Sequence, residues 1–427
     1  MFQRSEEVIH WIDGFGYSQG KRTLDHMKRI LEDLGNPHLK LRTIHIAGTN
    51  GKGSTVAFMR DVLMAAGYQV GTFTSPYITT FGERMSINGL PMDPADLVYY
   101  ANQLHHLLKK QSDLTVLASF DVITLLSFMY FKDVSNLDVV LYETGIGGRL
   151  DSTNVISPMA TAITNIGHDH AEILGATKLE RAREKVGIVK PGIPLFTTEE
   201  DPTLLTKFES VCQKNEAAFY QPLDQAKLLK IDTCGVTFQW GTYEKVQLTM
   251  HGEHQFKNAV LALSVVDYLQ KSGTLQVDEV AIYEGLATTS WQGRFERLQG
   301  VPPVILDGAH NIEGMAALIR TLAEVYPTHK KKFIFSALQT KDAKEMIEMI
   351  GEVATQVTFT KGNHPGAQVG KALYDLYKES HQGASTFEED YQQAIDDCIS
   401  TLGSDEVLVI CGSLYFVSDA RAHLLEK

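Results

Sequence analysis

At 427 residues the chain exceeds the size at which a single hydrophobic core keeps growing, so two domains are expected. Hydrophobic residues make up 44% of it, ample for packed cores, and no stretch reads as a membrane span or a secretory signal. A formal net charge of −13 excludes general affinity for nucleic acid or anionic membranes, and Cys212, Cys234, Cys398 and Cys411 are spaced as reduced thiols rather than as a zinc knot. These features predict a cytoplasmic protein that handles small molecules.

The first strong local signal is a β-branched run, Thr43 to Ala47, that breaks into Gly48-Thr49-Asn50-Gly51-Lys52-Gly53-Ser54. A helix follows, with Val56, Met59, Leu63 and Ala66 at helical spacing and Gly67 placed to end it. Glycines let backbone N–H groups converge on an anion, and the lysine and the helix N-terminus add positive potential, so a nucleoside triphosphate is the expected ligand. The spacing departs from the strict phosphate-loop pattern. Ile46 stands where its first glycine would be, and Gly53 separates Lys52 from Ser54.

Strands are predicted over 42–47, 69–74, 137–143, 159–166 and 193–197, with helices over 118–131 and 178–188, an alternation that marks an α/β sheet. Glu143 ends the third of these strands and leads into the glycine-dense run from Thr144 to Asn154, a position suited to holding Mg²⁺ against phosphates. The fourth runs into Gly167-His168-Asp169-His170, whose H-x-H pair is either a metal ligand or an ordinary polar turn. Lys185 lies on a strongly basic helix and, from the sequence alone, reads as part of a solvated face. Turn residues at Cys234-Gly235 and Trp240-Gly241 predict small antiparallel hairpins attached to the first domain, followed by a helix over 256–270. The domain boundary is expected within 293–300, giving domains 1–295 and 296–427. Beyond it the alternation restarts, with strands over 304–306, 332–336, 356–360 and 406–411 and a helix over 312–325. Asp307-Gly308-Ala309-His310-Asn311 follows the first of these strands, and with Arg294 it reads either as a plain turn or as a nucleotide contact.

In this order the segments closely resemble the folylpolyglutamate synthase family, including its bifunctional dihydrofolate synthases, within the Mur ligase superfamily. The resemblance runs through Gly48–Ser54, Thr74-Ser75-Pro76-Tyr77, Glu83-Arg84, Glu143 to Asn154, Asp169-His170, Glu184-Lys185 with Gly187-Ile188, Arg294 with Glu296, Asp307 to Asn311, and Gly412-Ser413-Leu414-Tyr415. The irregular glycine loop is the family's own variant. The resemblance implies a P-loop-type, mostly parallel sheet domain with a small antiparallel β segment, followed by a smaller Rossmann-like α/β domain.

It also implies roles. Gly48, Thr49, Asn50, Gly51, Lys52, Gly53 and Ser54 would bind ATP phosphates, joined across a cleft by Asn258, Arg294, Asp307 and His310. Ser75, Glu143, His170 and Lys185 would hold Mg²⁺, with Lys185 carbamylated, and a K⁺ ion is left open. Lys52, Lys185 and His310 are the expected catalytic residues, and Pro76, Tyr77, Arg84 and Ser413 the expected substrate contacts. The implied reaction adds L-glutamate to a reduced folate through an acyl phosphate, giving ADP and phosphate in a cytoplasmic, monomeric ligase of one-carbon metabolism; dihydropteroate is the alternative acceptor. A peptidoglycan-type Mur ligase is disfavoured because only 47 residues precede Gly48, and a kinase, a GTPase or a nucleotide-gated binding module stands as a rival reading.

Overall fold

The strand Thr43–Ala47 (β1) is buried along its whole length, as expected of a strand covered on both faces by helices. In a computed structural model that describes residues 1–16, 23–110, 117–298, 300, 302–341 and 343–426, this strand lies inside an eight-stranded sheet. The other members are β2 (Val70–Phe73), β3 (Met85–Ile87), β4 (Leu90–Pro91), β5 (Val139–Glu143), β6 (Ala160–Ile163), β7 (Leu195–Thr197) and β8 (Phe219–Tyr220), in the order β4-β3-β2-β5-β1-β6-β7-β8. All neighbours pair in parallel except β2–β3 and β3–β4. One face is covered by helices Ser5–Asp13, Asp25–Asp33, Pro94–Leu108 and Ser119–Asp133 over β2 and β5 and by Lys178–Val186 and Pro202–Lys214 over β6 and β7, while on the opposite face Phe196 of β7 meets Tyr268 of helix Glu253–Lys271.

The helix Lys52–Ala65 starts directly on the glycine loop, with Gly51 at φ +87° supplying the left-handed turn into it. Helix Glu279–Thr288 packs on this helix at close range. A Cβ on Gly285 would collide with the backbone of Val62 and Asp61, so the two helix backbones touch there.

Contacts divide the chain into two units, one of residues 1–227 with 257–289 and the other of 228–256 with 290–427. The second holds a six-stranded sheet of β12 (Glu296–Leu298), β13 (Val304–Asp307), β14 (Lys330–Phe335), β15 (Gln356–Lys361), β16 (Ala384–Asp390) and β17 (Glu406–Cys411), ordered β12-β13-β17-β14-β15-β16 and parallel except at β12–β13. The mostly parallel first sheet and the parallel-rich second one match the expected fold class.

The hairpin region, β9 (Ala226–Asp232), β10 (Gly235–Trp240) and β11 (Tyr243–Leu248), has its turns where the glycines predict them. By its contacts it groups with the second unit rather than the first. Ile231 packs into that unit's core and the His251 ring lies 5.4 Å from that of Phe295. Grouped this way, the units change over at 289/290 rather than at 295/296.

Candidate active site

Because β5, β1 and β6 are adjacent and parallel, the segments that follow them leave the same edge of the sheet, where open α/β sheets place ligands. This topology brings 48–54, 144–154 and 164–170 together although they are scattered in the sequence.

The glycine loop is held from several sides. Thr49 N donates to Asn165 O (3.0 Å), Asn50 N to Asn165 Oδ1 (3.1 Å), and Asn165 Nδ2 and Thr164 Oγ1 donate back to Asn50 O (2.9 and 2.6 Å). Gly167 N donates to Thr49 Oγ1 (2.8 Å). Gly48, at φ +148°, lies so close to Thr164 that a Cβ would strike its hydroxyl, and one on Gly51 would strike the buried Asn258 amide. The expected phosphate-binding residues and Asn258 are thus one packed unit, and its fastening by Thr164 and Asn165 was not predicted.

Lys52 Nζ donates to Thr49 O (3.2 Å) and lies 3.6 Å from Glu143 Oε1. Glu143 is buried at the end of β5, and its Oε2 accepts from Ser75 N (3.3 Å). Lysine ammonium, carboxylate and the Ser75 backbone therefore meet at the sheet edge. An ionised carboxylate carries only acceptors, so this cluster suits a hard divalent cation. Among the described residues no three His, Cys, Asp or Glu side chains form a metal-holding group. His168 is exposed, and His170, at φ +52°, has its ring nitrogens 3.9 Å from Asp169 and 3.7 Å from Glu172.

Lys185 corrects the reading of its helix as a solvated face. It is 4% exposed, and its Nζ donates to Gly48 O (2.8 Å). Burial and then the charge of Lys52 lower its pKa to about 7, so a substantial fraction is free amine near neutrality. Arg181, one turn earlier, is also buried, donating to the carbonyls of Gly167, Gly175 and Ala176 and so bracing the His170 loop. Its basic surroundings in the sequence conceal this.

Beneath the glycine-rich run after β5, the buried ring of His45 bonds Thr153 Oγ1 (2.8 Å), and Asp151 accepts from Thr153 N (3.0 Å) and Ile146 N (3.0 Å). Burial holds the His45 pKa down at about 3, so its ring is neutral. On the segment after Ser75-Pro76, the Arg84 guanidinium lies over the rings of Tyr77 (5.2 Å) and Phe81 (5.6 Å).

In the second unit, β13 and β17 end side by side, and Gly412 N donates to Ala309 O (3.0 Å), which brings Ser413 beside the 307–310 turn. Asp307 is buried and accepts from Phe295 N and Ala309 N, both at 2.8 Å. Burial raises its pKa, against the pull of Arg294. A Cβ on Gly308 would meet Leu414 and the Arg294 guanidinium, so Arg294 lies on this turn. His310 Nδ1 donates to Gly308 O (2.7 Å), which fixes the tautomer by leaving the proton on Nδ1.

Two family models match: the Mur ligase middle domain over 46–266 and the Mur ligase glutamate ligase domain over 293–414. The dihydrofolate synthase/folylpolyglutamate synthase of Bacillus subtilis is 39% identical over 99% of this chain and 100% of its own length. Among solved structures, the folylpolyglutamate synthase of Mycobacterium tuberculosis complexed with ADP and AMPPCP superposes with a TM-score of 0.88 at 29% identity, covering 98% of this chain and 97% of that one. A bifunctional folylpolyglutamate synthase/dihydrofolate synthase with Mn, AMPPNP and L-glutamate bound gives a TM-score of 0.84 at 27% identity, with 98% of each chain covered. The chain therefore belongs to the folylpolyglutamate synthase and dihydrofolate synthase family of the Mur ligase superfamily.

Proposed function

We propose that this ATP-dependent ligase joins the α-amino group of L-glutamate to a carboxylate of a reduced folate, with dihydropteroate as a second acceptor. The observation that carries this reading is the meeting of Lys52, Glu143 and the Ser75 backbone beside a glycine loop fastened by Thr164, Asn165 and Asn258. It sets a cation for phosphate oxygens next to a carboxylate for a metal ion. Support comes from the relatives, one solved with ADP and AMPPCP and another with Mn, AMPPNP and L-glutamate.

A carboxylate is a poor acyl donor because oxide is a poor leaving group. Attack of the folate carboxylate on the γ-phosphate of ATP makes an acyl phosphate and ADP, and the neutral amine of glutamate then displaces phosphate through a tetrahedral intermediate. Gly48 to Ser54 bind the phosphates, and Lys52 offsets charge that develops on transfer. Glu143, Ser75, His170 and Lys185 would hold Mg²⁺, which when bound neutralises phosphate charge. Free Lys185 amine, available because its pKa is lowered to about 7, can add CO₂ and release a proton, becoming an anionic carbamate. Pro76, Tyr77 and Arg84 face the folate in this scheme. Arg294, Asp307 and His310 of the second unit would contact nucleotide, and its Ser413 the amino acid. The four free cysteines support action in the cytoplasm, where we propose that the chain works as a monomer.

The test is ADP release with ATP, Mg²⁺ and L-glutamate plus either a reduced folate or dihydropteroate, with the product weighed by mass spectrometry. An added glutamyl residue in amide linkage is the expected result. ADP release with no amide product overturns the ligase reading, and the ratio of the two rates divides the activity between the acceptors.

A further inference from the structure

The segment from Thr74 to Arg84 links β2 to β3, and its two ends are tied by Thr74 N donating to Arg84 O (3.1 Å). Its tip is gathered by a side chain with no role so far. Glu83 Oε2 accepts from Ile78 N (2.8 Å), and Oε1 accepts from Thr79 N and Thr80 N, both at 2.8 Å. A helix-capping carboxylate needs only the Thr80 bond, which is here part of a capping box with the Thr80 side chain. The further bonds to Ile78 and Thr79 fold the tip back over the short helix Phe81–Arg84. Its base is fixed too. Gly82 O accepts from Met92 N (3.1 Å), and a Cβ on Gly82 would collide with Met92 O.

Ser75, Pro76 and Tyr77 are thereby caught between two anchors, the Ser75 N bond to Glu143 on one side and the Glu83 clamp, starting at Ile78, on the other. Tyr77 is the residue immediately before the clamp, and its ring is 5.9 Å from that of Phe81 with Arg84 over both. Charge-assisted bonds to a carboxylate are among the stronger hydrogen bonds, and three to one group leave the backbone little freedom.

We infer that Glu83 is a positioning residue for the acceptor substrate: it holds the 75–80 segment in the form that presents Tyr77 and Arg84 to the folate, without touching substrate itself. This rests on the proposed folate-ligase reading. Glutamine retains one acceptor oxygen and turns a donor toward the same N–H groups, whereas alanine removes every bond, so the two substitutions grade the clamp. Expected results are KM for the folate raised about tenfold in Glu83→Ala and by less in Glu83→Gln, with KM for ATP and the melting temperature near wild type. Amide hydrogen exchange of the ligand-free protein should speed up at Ile78, Thr79 and Thr80 in the same order. An unchanged folate KM, or folate and ATP KM values rising together, overturns the positioning role. If Glu83→Ala does not fold, Glu83→Gln carries both measurements. Exchange is read without substrate, so faster exchange in the variants together with a wild type that makes no glutamyl product fails the ligase reading and leaves the clamp standing, whereas unchanged exchange in the variants together with a wild type that does make it fails the clamp alone.

Discussion

Glu143 in the first unit and Asp307 in the second are both buried carboxylates at the carboxyl ends of parallel strands, yet they are engaged differently. Glu143 faces an ammonium at 3.6 Å and a backbone N–H from another strand's loop. Asp307 takes two N–H groups at 2.8 Å from its own turn and the adjacent segment, which fixes the surroundings of Arg294 and His310. A carboxylate at the same topological position thus serves in one case to meet charge and in the other to shape a loop. Strand-end location alone does not distinguish the two.

Substitutions can break or sharpen this contrast. The largest effect belongs to the charge-meeting side: Lys52→Ala and Glu143→Ala should each lower glutamate-dependent ADP release about a hundredfold or more while far-ultraviolet circular dichroism stays unchanged. Near-normal turnover in either would remove them from the chemistry. Next comes the fastening of the loop. Asn165→Ala deletes the two side-chain bonds to Asn50 and should raise KM for ATP about tenfold, measured at saturating folate. On the loop-shaping side, Asp307→Asn leaves one acceptor oxygen for two N–H groups and should cost about 1–2 kcal/mol in denaturant unfolding, whereas Glu143→Gln should leave unfolding almost unchanged. Equal losses in the two variants would erase the distinction.

The smallest effect is in the acid limb of stability. The His45 pKa is lowered on folding from 6.5 to about 3, so below about pH 6.5 the unfolded chain binds a proton that the folded chain refuses. Stability is unaffected by this group above that pH and falls as pH drops toward 3, by at most about 1.4 kcal/mol per pH unit. His45→Gln, which cannot take up that proton, should flatten this slope in urea unfolding measured between pH 4 and 7; an unchanged slope would show that His45 does not set it.

Much of the first sheet was legible because its strands are apolar or β-branched runs set off by turn residues such as Gly48, Pro76 and Gly145. The helix expected over 312–325 is observed as Ile312–Val325, and the strand over 406–411 as Glu406–Cys411. Short or polar strands were not legible: β4 has two residues, and β16, Ala-Ser-Thr-Phe-Glu-Glu-Asp, lies at the sheet edge with most of its side chains at least partly exposed. In the site, the glycine loop, Glu143 and the 307–311 turn carry their own signatures. The burial of Lys185 does not, because the basic run around it hides which face turns inward. Thr164, Asn165 and Asn258 reach the loop through pairings more than a hundred residues away in sequence, which no local pattern reports.

The contact at Gly285 has a consequence for motion. With the backbones of Glu279–Thr288 and Lys52–Ala65 touching there, the helix that carries Lys52 has no room to slide or rotate without separating a close-packed pair. The glycine loop that opens this helix is therefore anchored through a backbone-to-backbone contact as well as through Thr164, Asn165 and Asn258.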